Sequence, residues 1–401
     1  MRPFSTTISL DEARQRLDAA LRPIARIERV PLDQAVNRVA ADHVVSDLSV
    51  PPFARSAMDG YAVVAAETTG ASAGSPVTLH VVDRVFTGQM STAIVGRGAC
   101  VEIATGAPLP GGADAVVMVE DTKTNRDGVA VLNAVTAGQN VGRKGADIAP
   151  GDVVVSTGDL LTPSRVGALA AIGRVDVSAY AKPRVAILST GNEVTDPGRP
   201  LEPGQIYDVN RFTLGSVVSA HGGVPELRRS AQDSVEALVQ ALDACADADV
   251  IVFSGGSSVG DRDLVVDAIA QRGDMIFHGI AVRPGKPTAF AVVRSKPFFG
   301  MPGNPTSCLS NAYILFVPFL RATARLPPYA PQKLRMPLGA RIASAAGRHQ
   351  FYTVRLRDGV AMPAFKGSGD ITSLSQADGY IEIPATDSVV EEGEVVEVTM
   401  F

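Results

Sequence analysis

Cysteine is scarce: Cys100, Cys245 and Cys308 are the only three in 401 residues, widely separated and without a CxxC pair. That spacing offers neither a disulfide framework nor a zinc knuckle, and a reducing cytoplasm is the simplest compartment. The five histidines, His43, His80, His221, His278 and His349, never take HExxH spacing, so each is read as structural or exposed rather than as a metal ligand. Long apolar runs are missing too. Nothing reaches the ~18 residues a membrane helix needs, and MRPFSTTISLDEARQRLDAAL carries charges where a signal peptide requires an apolar core. Neither a membrane span nor secretion is expected. The formal charge of -5 argues against broad attraction to a nucleic-acid backbone or an anionic membrane. The ligand should be small, or the partner specific.

What is present is a globular composition. Hydrophobic residues make up 46% and charged residues 20%, enough to build sizeable cores. At a domain size of about 100–150 residues, the length implies about two to four domains. SLDEARQRLDAALRPI opens with Ser9 as a helix cap and Glu12 three residues later, and it places Ala13, Leu17, Ala20 and Leu21 on one face. From 48 to 141 the texture changes to short valine-rich segments punctuated by Gly, Pro, Asn and Asp, which reads as a small β domain. Residues 27–47 and 142–178, including the short helix TPSRVGALAAIG, read as a connecting domain. Residues 179–327 alternate strands (PRVAILSTG, DVIVFSGG, KPTAFAVV, PFFGMPG) with helices, of which PTSCLSNAYILFVPFLRATA is the longest. This is the pattern of a mostly parallel sheet covered on both faces. Residues 328–401, with FYTVRLRDG and GYIEIPA, read as a C-terminal β domain, and 1–26 as a helix packing with the α/β domain.

In open α/β sheets ligands bind at the carboxyl ends of strands, and three such loops here are strongly polar. Asn192 and Glu193 follow VAILSTG, SSVGDRD follows VIVFSGG, and NPTS follows FFGMPG. Gly255, Gly256, Ser257 and Ser258 can offer backbone N–H groups to an anion ahead of a helix N-terminus. Asp261 and Asp263, with Glu193 and Asp208, have the oxygen chemistry to hold Mg²⁺, although either aspartate alone reads equally well as a cap for the helix near Leu264. In RPGKPTAF, Arg283 and Lys286 suit an oxyanion, or else form a solvated charge pair on a turn. Asn304 and Pro305 supply helix-start chemistry that aims Thr306 and Ser307 above the sheet. There is no GxxxxGK[ST] loop, no GxGxxG after these strands, no Gly-x-Ser-x-Gly elbow and no Cys/His pair. Asp59 in PPFARSAMDGYAV, Thr105 in EIATGAPLPGGADAVVMVED and Asp147 in VGRKGADIAPGD are, taken singly, turn residues.

Together SAMDGYAV, IATGAPLPGGADAVVMVED, GRKGADI, ILSTGNEV, IYDVNRFTL, SGGSSVGDRD, RPGKPTAF and GMPGNPTSC resemble, in order, the molybdopterin molybdenumtransferase family, of the MoeA and gephyrin E-domain type. The resemblance covers residues 5 to 400. It implies an elongated α/β multidomain fold: a central doubly wound MogA-like α/β domain, a small β domain, a connecting domain and a C-terminal β domain. It implies molybdenum cofactor biosynthesis, in which molybdate is inserted into adenylylated molybdopterin with Mg²⁺-dependent cleavage of the pyrophosphate link and release of AMP. It further implies a cytoplasmic homodimer with a cleft shared between subunits. Its expected partners are adenylylated molybdopterin and molybdate, with molybdopterin adenylyltransferase or molybdoenzyme chaperones as protein partners, and neither nucleic acid nor membrane.

By motif, the resemblance makes Asp59, Thr105, Asp147, Glu193 and Asp263 catalytic. Asp208, Asp233, Ser254, Gly255, Gly256, Ser257, Pro302 and Pro305 become substrate-binding. Arg283, Lys286, Ser307, Arg348 and Ser368 become the molybdate pocket, and Glu193, Asp208, Asp261 and Asp263 the metal ligands. A tetrahedral dianion favours cationic and hydroxyl donors, whose bonds to it are charge-assisted. Arg283 stands where the family typically has lysine, exchanging a point charge for a planar fork, and Ser257 replaces the usual apolar residue. Two alternatives stand beside this reading: a molybdopterin adenylyltransferase, whose domain resembles 180–325 alone, and a non-catalytic pterin-binding scaffold.

Overall fold

The computed structural model describes residues 7–126, 128–228, 234–255, 264–344 and 347–401. The chain divides into two compact units, one of Met1–Glu28, Asn37–Val39 and Ala179–Phe401, the other of Arg29–Val36 and Ala40–Ser178. The boundaries read from sequence texture at 48, 142 and 328 are finer than this division. By contact, the C-terminal sheet belongs with the α/β sheet.

The second unit is built on a six-stranded sheet in the order Ala115–Met118, Gly60–Val63, Ala99–Ile103, Val77–Val85, Gly128–Val131, Thr122–Asn125. Successive residues of a strand face opposite sides, and here both sides are buried. Tyr61, Val63, Cys100, Ala115 and Val117 enter one cluster, while Ala62, Val101 and Val116 enter the other. Only glycine fits at Gly60, because a Cβ there would lie 1.9 Å from the carbonyl oxygen of Val117 on the neighbouring strand. The Pro163–Ala171 helix starts as its sequence dictates, with Thr162 as cap and proline in its first turn.

The first unit holds a six-stranded sheet in the order Val224–Leu227, Arg184–Ser189, Val250–Ser254, Lys296–Met301, Ala289–Val293, Gly273–His278. The first four run parallel, and the last two form antiparallel pairs. Alternation again divides the core. Val185, Ile187, Val250, Val252 and Phe299 meet the helices Leu10–Ala20, Asn210–Ala220 and Val317–Thr323, whereas Ala186, Leu188, Ile251, Phe253 and Phe298 meet Val235–Asp243 and Leu264–Ala270. The helix Leu10–Ala20 begins with the Ser9 hydroxyl accepting the Glu12 N–H, and it buries Leu10, Ala13 and Leu17. The segment expected as one long helix is instead Pro305–Asn311, a π-helical turn Ala312–Phe316 and Val317–Thr323. The reason is Pro318, which lacks an N–H and would clash with the preceding turn of a regular helix; the wider turn accommodates it.

A second sheet in this unit runs Val282–Arg283, His349–Arg357, Gly379–Ile383, Val395–Met400, Lys333–Pro337. Its first strand comes from the α/β region, so Arg283 is covalently part of one layer and hydrogen-bonded into the other. On the opposite edge of that segment Ile8 N–H donates to Gly279 and Ala281 N–H donates to Ile8. Among the described residues no helix is long and apolar enough to cross a membrane. Leu17, 3% exposed, fastens the first helix to the sheet. Leu17→Ala should therefore lower the unfolding free energy of this unit by about 2–5 kcal/mol, read as an earlier urea midpoint with little change of m-value.

Candidate active site

Above the carboxyl ends of the parallel strands lies a cavity of about 980 Å³. It collects most of the residues singled out by sequence: Glu193, Asp208, Ser254, Gly255, Pro302, Pro305, Arg283, Lys286, Ser307, Arg348 and Ser368 all line it. Its floor is knitted where the strands stop. Thr190 N–H donates to Ser254, and Gly255 N–H donates to Met301, so strand pairing continues one residue into the loops. Gly255 has φ +101°, and a Cβ there would sit 2.3 Å from the Thr190 carbonyl oxygen. The expectation that Gly255 offers its N–H to an anion is thereby corrected, since that donor is already spent on Met301. Gly255 is a glycine because the backbones approach too closely for anything larger.

Asn210, at the start of its helix and 8% exposed, binds the same loops together. Its Nδ2 donates to Ser254 Oγ and to the Gly303 carbonyl, each at 2.7 Å. Sequence reasoning missed it, although it follows Asp208 within IYDVNRFTL. Asp208 is 3% exposed and fully engaged. Ser189 Oγ donates to its Oδ2, Arg211 N–H donates to its Oδ1 at 3.1 Å, and Arg211 Nε lies 3.1 Å from Oδ2. A buried carboxylate needs such compensation.

This bears on the expected magnesium. Of the four carboxylates proposed for it, Asp261 and Asp263 lie outside the described residues, as do Asp233, Gly256, Ser257 and Ser258. Among the described residues no group of three or more His, Cys, Asp or Glu is disposed to hold a metal ion. Glu193 lines the cavity, and Asp208 accepts hydrogen bonds from Ser189 Oγ and the Arg211 N–H.

Other residues of the lining are cationic: Arg283, Lys286 and Arg348. Arg283 leads into a loop pinned by the buried Asn311, whose Nδ2 donates to the Gly285 carbonyl at 2.8 Å and to Thr288 Oγ1. A Cβ at Gly285 would fall 2.2 Å from that amide, which explains glycine between Arg283 and Lys286. Asn304 does not cap its helix through its side chain as expected. Instead its Nδ2 donates to Ser368 Oγ at 3.0 Å, while Thr306 donates its N–H to the Ser368 carbonyl and its hydroxyl to the Asp370 carbonyl. The two motifs GMPGNPTS and KGSGD are thus one structure. Among the described residues neither Arg283 nor Arg348 has a carboxylate partner. Burial pushes the Tyr352 phenol up, while the Arg283 charge pulls it partly back. Beside Arg348, the His349 imidazole, 2.9 Å from Glu382, holds that carboxyl below its usual range against the opposing effect of burial. An oxyanion is what these unpaired charges and the hydroxyls of Ser307 and Ser368 are equipped to hold.

Asp59, Thr105 and Asp147 belong to the other unit. Asp59 lines a smaller cavity of about 240 Å³ with Arg84 and Glu102, themselves an ion pair at 2.6 Å. Thr105 N–H donates to Asp59 Oδ1 at 2.7 Å, so SAMDG and IATGA form one site. Asp147 is exposed, with its N–H given to Val50. All three cysteines are buried, and burial pushes the Cys100 and Cys308 thiols up to about 12 and that of Cys245 to about 11.

These features define a multidomain α/β protein with a cavity at the strand ends lined by Arg283, Lys286, Arg348 and Lys366. The comparisons name it further. Residues 8–173 match the MoeA N-terminal region (domain I and II), residues 186–322 a probable molybdopterin binding domain, and residues 335–401 the MoeA C-terminal region (domain IV). The chain is 36% identical over 388 residues to molybdopterin molybdenumtransferase 2 of Mycobacterium tuberculosis, covering 94% of this chain and 95% of that one. It is 32% identical over 403 residues to the molybdopterin molybdenumtransferase of Haemophilus influenzae, covering 98% of each. A solved molybdopterin biosynthesis MoeA protein from Pyrococcus horikoshii superimposes with TM-score 0.81 at 30% identity, covering 99% of this chain and 100% of that one. The chain belongs to the molybdopterin molybdenumtransferase family, enzymes of molybdenum cofactor biosynthesis.

Two outcomes follow for this site. Asn210→Ala leaves the Gly303 carbonyl without its donor and should cost about 1–3 kcal/mol, measured as a lowered denaturation midpoint. The buried thiols should resist a thiol reagent at pH 8 in the native protein and all react after denaturation. Because their folded values stand above the ordinary 9.0, the unfolded chain sheds protons first as pH rises. Their contribution to stability is full below about pH 9 and falls away toward pH 11–12.

Proposed function

We propose that this protein inserts molybdate into adenylylated molybdopterin, releasing AMP, and that the cavity above the strand ends holds both substrates. The observation that carries this is the pair Arg283 and Arg348, two guanidinium groups without carboxylate partners among the described residues, facing one cavity with Lys286, Ser307 and Ser368. A cavity of about 980 Å³ suits a ligand the size of a pterin nucleotide, and its cationic wall suits a tetrahedral dianion. In this reading the Asp208–Arg211 pair and Asn210 hold the strand-end loops rigid, so that donors meet the substrate already placed.

Magnesium enters only as a requirement for turnover. The reading further takes the protein as a cytoplasmic homodimer, with molybdopterin adenylyltransferase or a molybdoenzyme chaperone as protein partners. Arg348 and Ser368 favour the transferase over a molybdopterin adenylyltransferase, because they bring the C-terminal sheet into the cavity.

The test is AMP release from adenylylated molybdopterin by the purified protein, with and without Mg²⁺ and molybdate. Molybdate-stimulated release accompanied by active cofactor is the expected result; substrate that binds without ever being cleaved would mark a scaffold instead. Arg283→Ala should raise the half-saturating molybdate concentration about 10- to 100-fold, the value of one or two charge-assisted hydrogen bonds, while Arg283→Lys should recover most of that loss.

A further inference from the structure

One more cation lines the cavity. Lys366 precedes Ser368 in the loop between Val360–Pro363 and the short helix Thr372–Ser375. The loop is held at several points: Ala364 N–H donates to Thr353, Lys366 N–H donates to Ser373 Oγ at 3.0 Å, and Ser368 and Asp370 receive the Thr306 bonds described above. The ammonium itself donates to Thr372 Oγ1 at 3.1 Å, a neutral partner. Among the described residues no carboxylate pairs with it. A cation on an anchored loop, facing a cavity with its charge uncompensated, is disposed toward a ligand anion.

Its position within the cavity can be narrowed. Phe365, the neighbouring residue, also lines the cavity, and its ring lies 5.3 Å from that of Tyr352. Arg283 in turn acts electrostatically on Tyr352. Arg283 also pairs with Gln350, two residues before Tyr352 on the same strand, so the Phe365–Tyr352–Arg283 succession brings the Lys366 loop toward Arg283.

Resting on the functional reading above, we infer that Lys366 is an oxyanion-binding residue that completes a molybdate subsite with Arg283, Arg348 and Ser368. Segments 282–286, 348 and 366–368 would then surround a single dianion with three kinds of donor: planar fork, point charge and hydroxyl. The same chemistry would suit a substrate phosphate, so the two sources must be separated by experiment.

The protein and the variants Lys366→Gln, Lys366→Arg and Arg283→Ala are titrated calorimetrically with sodium molybdate and, separately, with AMP. Lys366 is exposed, so the variants should fold as the parent does. The expected result is a molybdate Kd about tenfold weaker in Lys366→Gln, recovery in Lys366→Arg, and an unchanged AMP Kd. Undiminished molybdate binding in Lys366→Gln beside weakened binding in Arg283→Ala overturns the role of Lys366 and leaves the functional reading intact. Weakened AMP binding alone would assign Lys366 to a phosphate and likewise overturn the proposal. If molybdate binds neither the parent nor any variant, the functional reading fails, and the subsite fails with it.

Discussion

Residues 279–283 are gripped on both edges, and the cavity depends on that grip. On one side Ile8 exchanges hydrogen bonds with Gly279 and Ala281; on the other, His349 N–H donates to Ala281 and Val282–Arg283 pair in parallel with His349–Gln350. A segment so held cannot drift between layers. It carries Arg283 at the point where the α/β sheet and the C-terminal sheet meet, and it sets the start of a loop that Asn311 and Thr288 then pin from beneath. The Thr306 and Asn304 bonds to Ser368 and Asp370 tie the same two layers at a second point. Between these two ties lies the cationic wall.

The contrast between the cavity's walls is one of compensation. Asp208 is nearly inaccessible, and its charge is neutralised by Arg211 within a short hydrogen-bonded set. Removing one partner of such a pair is costly because the survivor stays buried, so its value lies in holding Ser189 and the first turn of Asn210–Ala220 in place. Arg283, Arg348 and Lys366 are more exposed and lack carboxylate partners among the described residues. Their charges are therefore available to a ligand, and solvent lowers the cost of leaving them unpaired until it arrives. Rigidity is invested in the floor and charge in the exposed lining, which lets donors meet a ligand already placed.

Much of this was legible in the sequence because it rests on local chemistry. The Ser9 cap, the Pro163 and Pro305 helix starts and the strand–helix alternation from Arg184 onward follow from short-range sterics and burial periodicity. The motif residues Glu193, Arg283, Lys286 and Ser307 could be singled out because strand ends in an α/β sheet converge. The failures share a cause as well. Gly255 has the residue type of an anion loop, but strand pairing takes its N–H. Asn304 has the residue type of a cap, but its amide is used across the layers by Ser368. In each case a long-range partner outcompeted the local role.

The sequence by itself determined the elements, their order and the kinds of donor available, because capping, alternation and steric exclusion act over a few residues. Only the tertiary structure decided which donors are spent and which remain. That Asp208 is consumed by Arg211, that Asn210 staples the strand-end loops, and that Lys366 shares a cavity with Arg283 all depend on contacts between segments far apart in the chain. Which partner a polar group finds there is set by where two layers happen to meet, and no periodicity or cap signal encodes that.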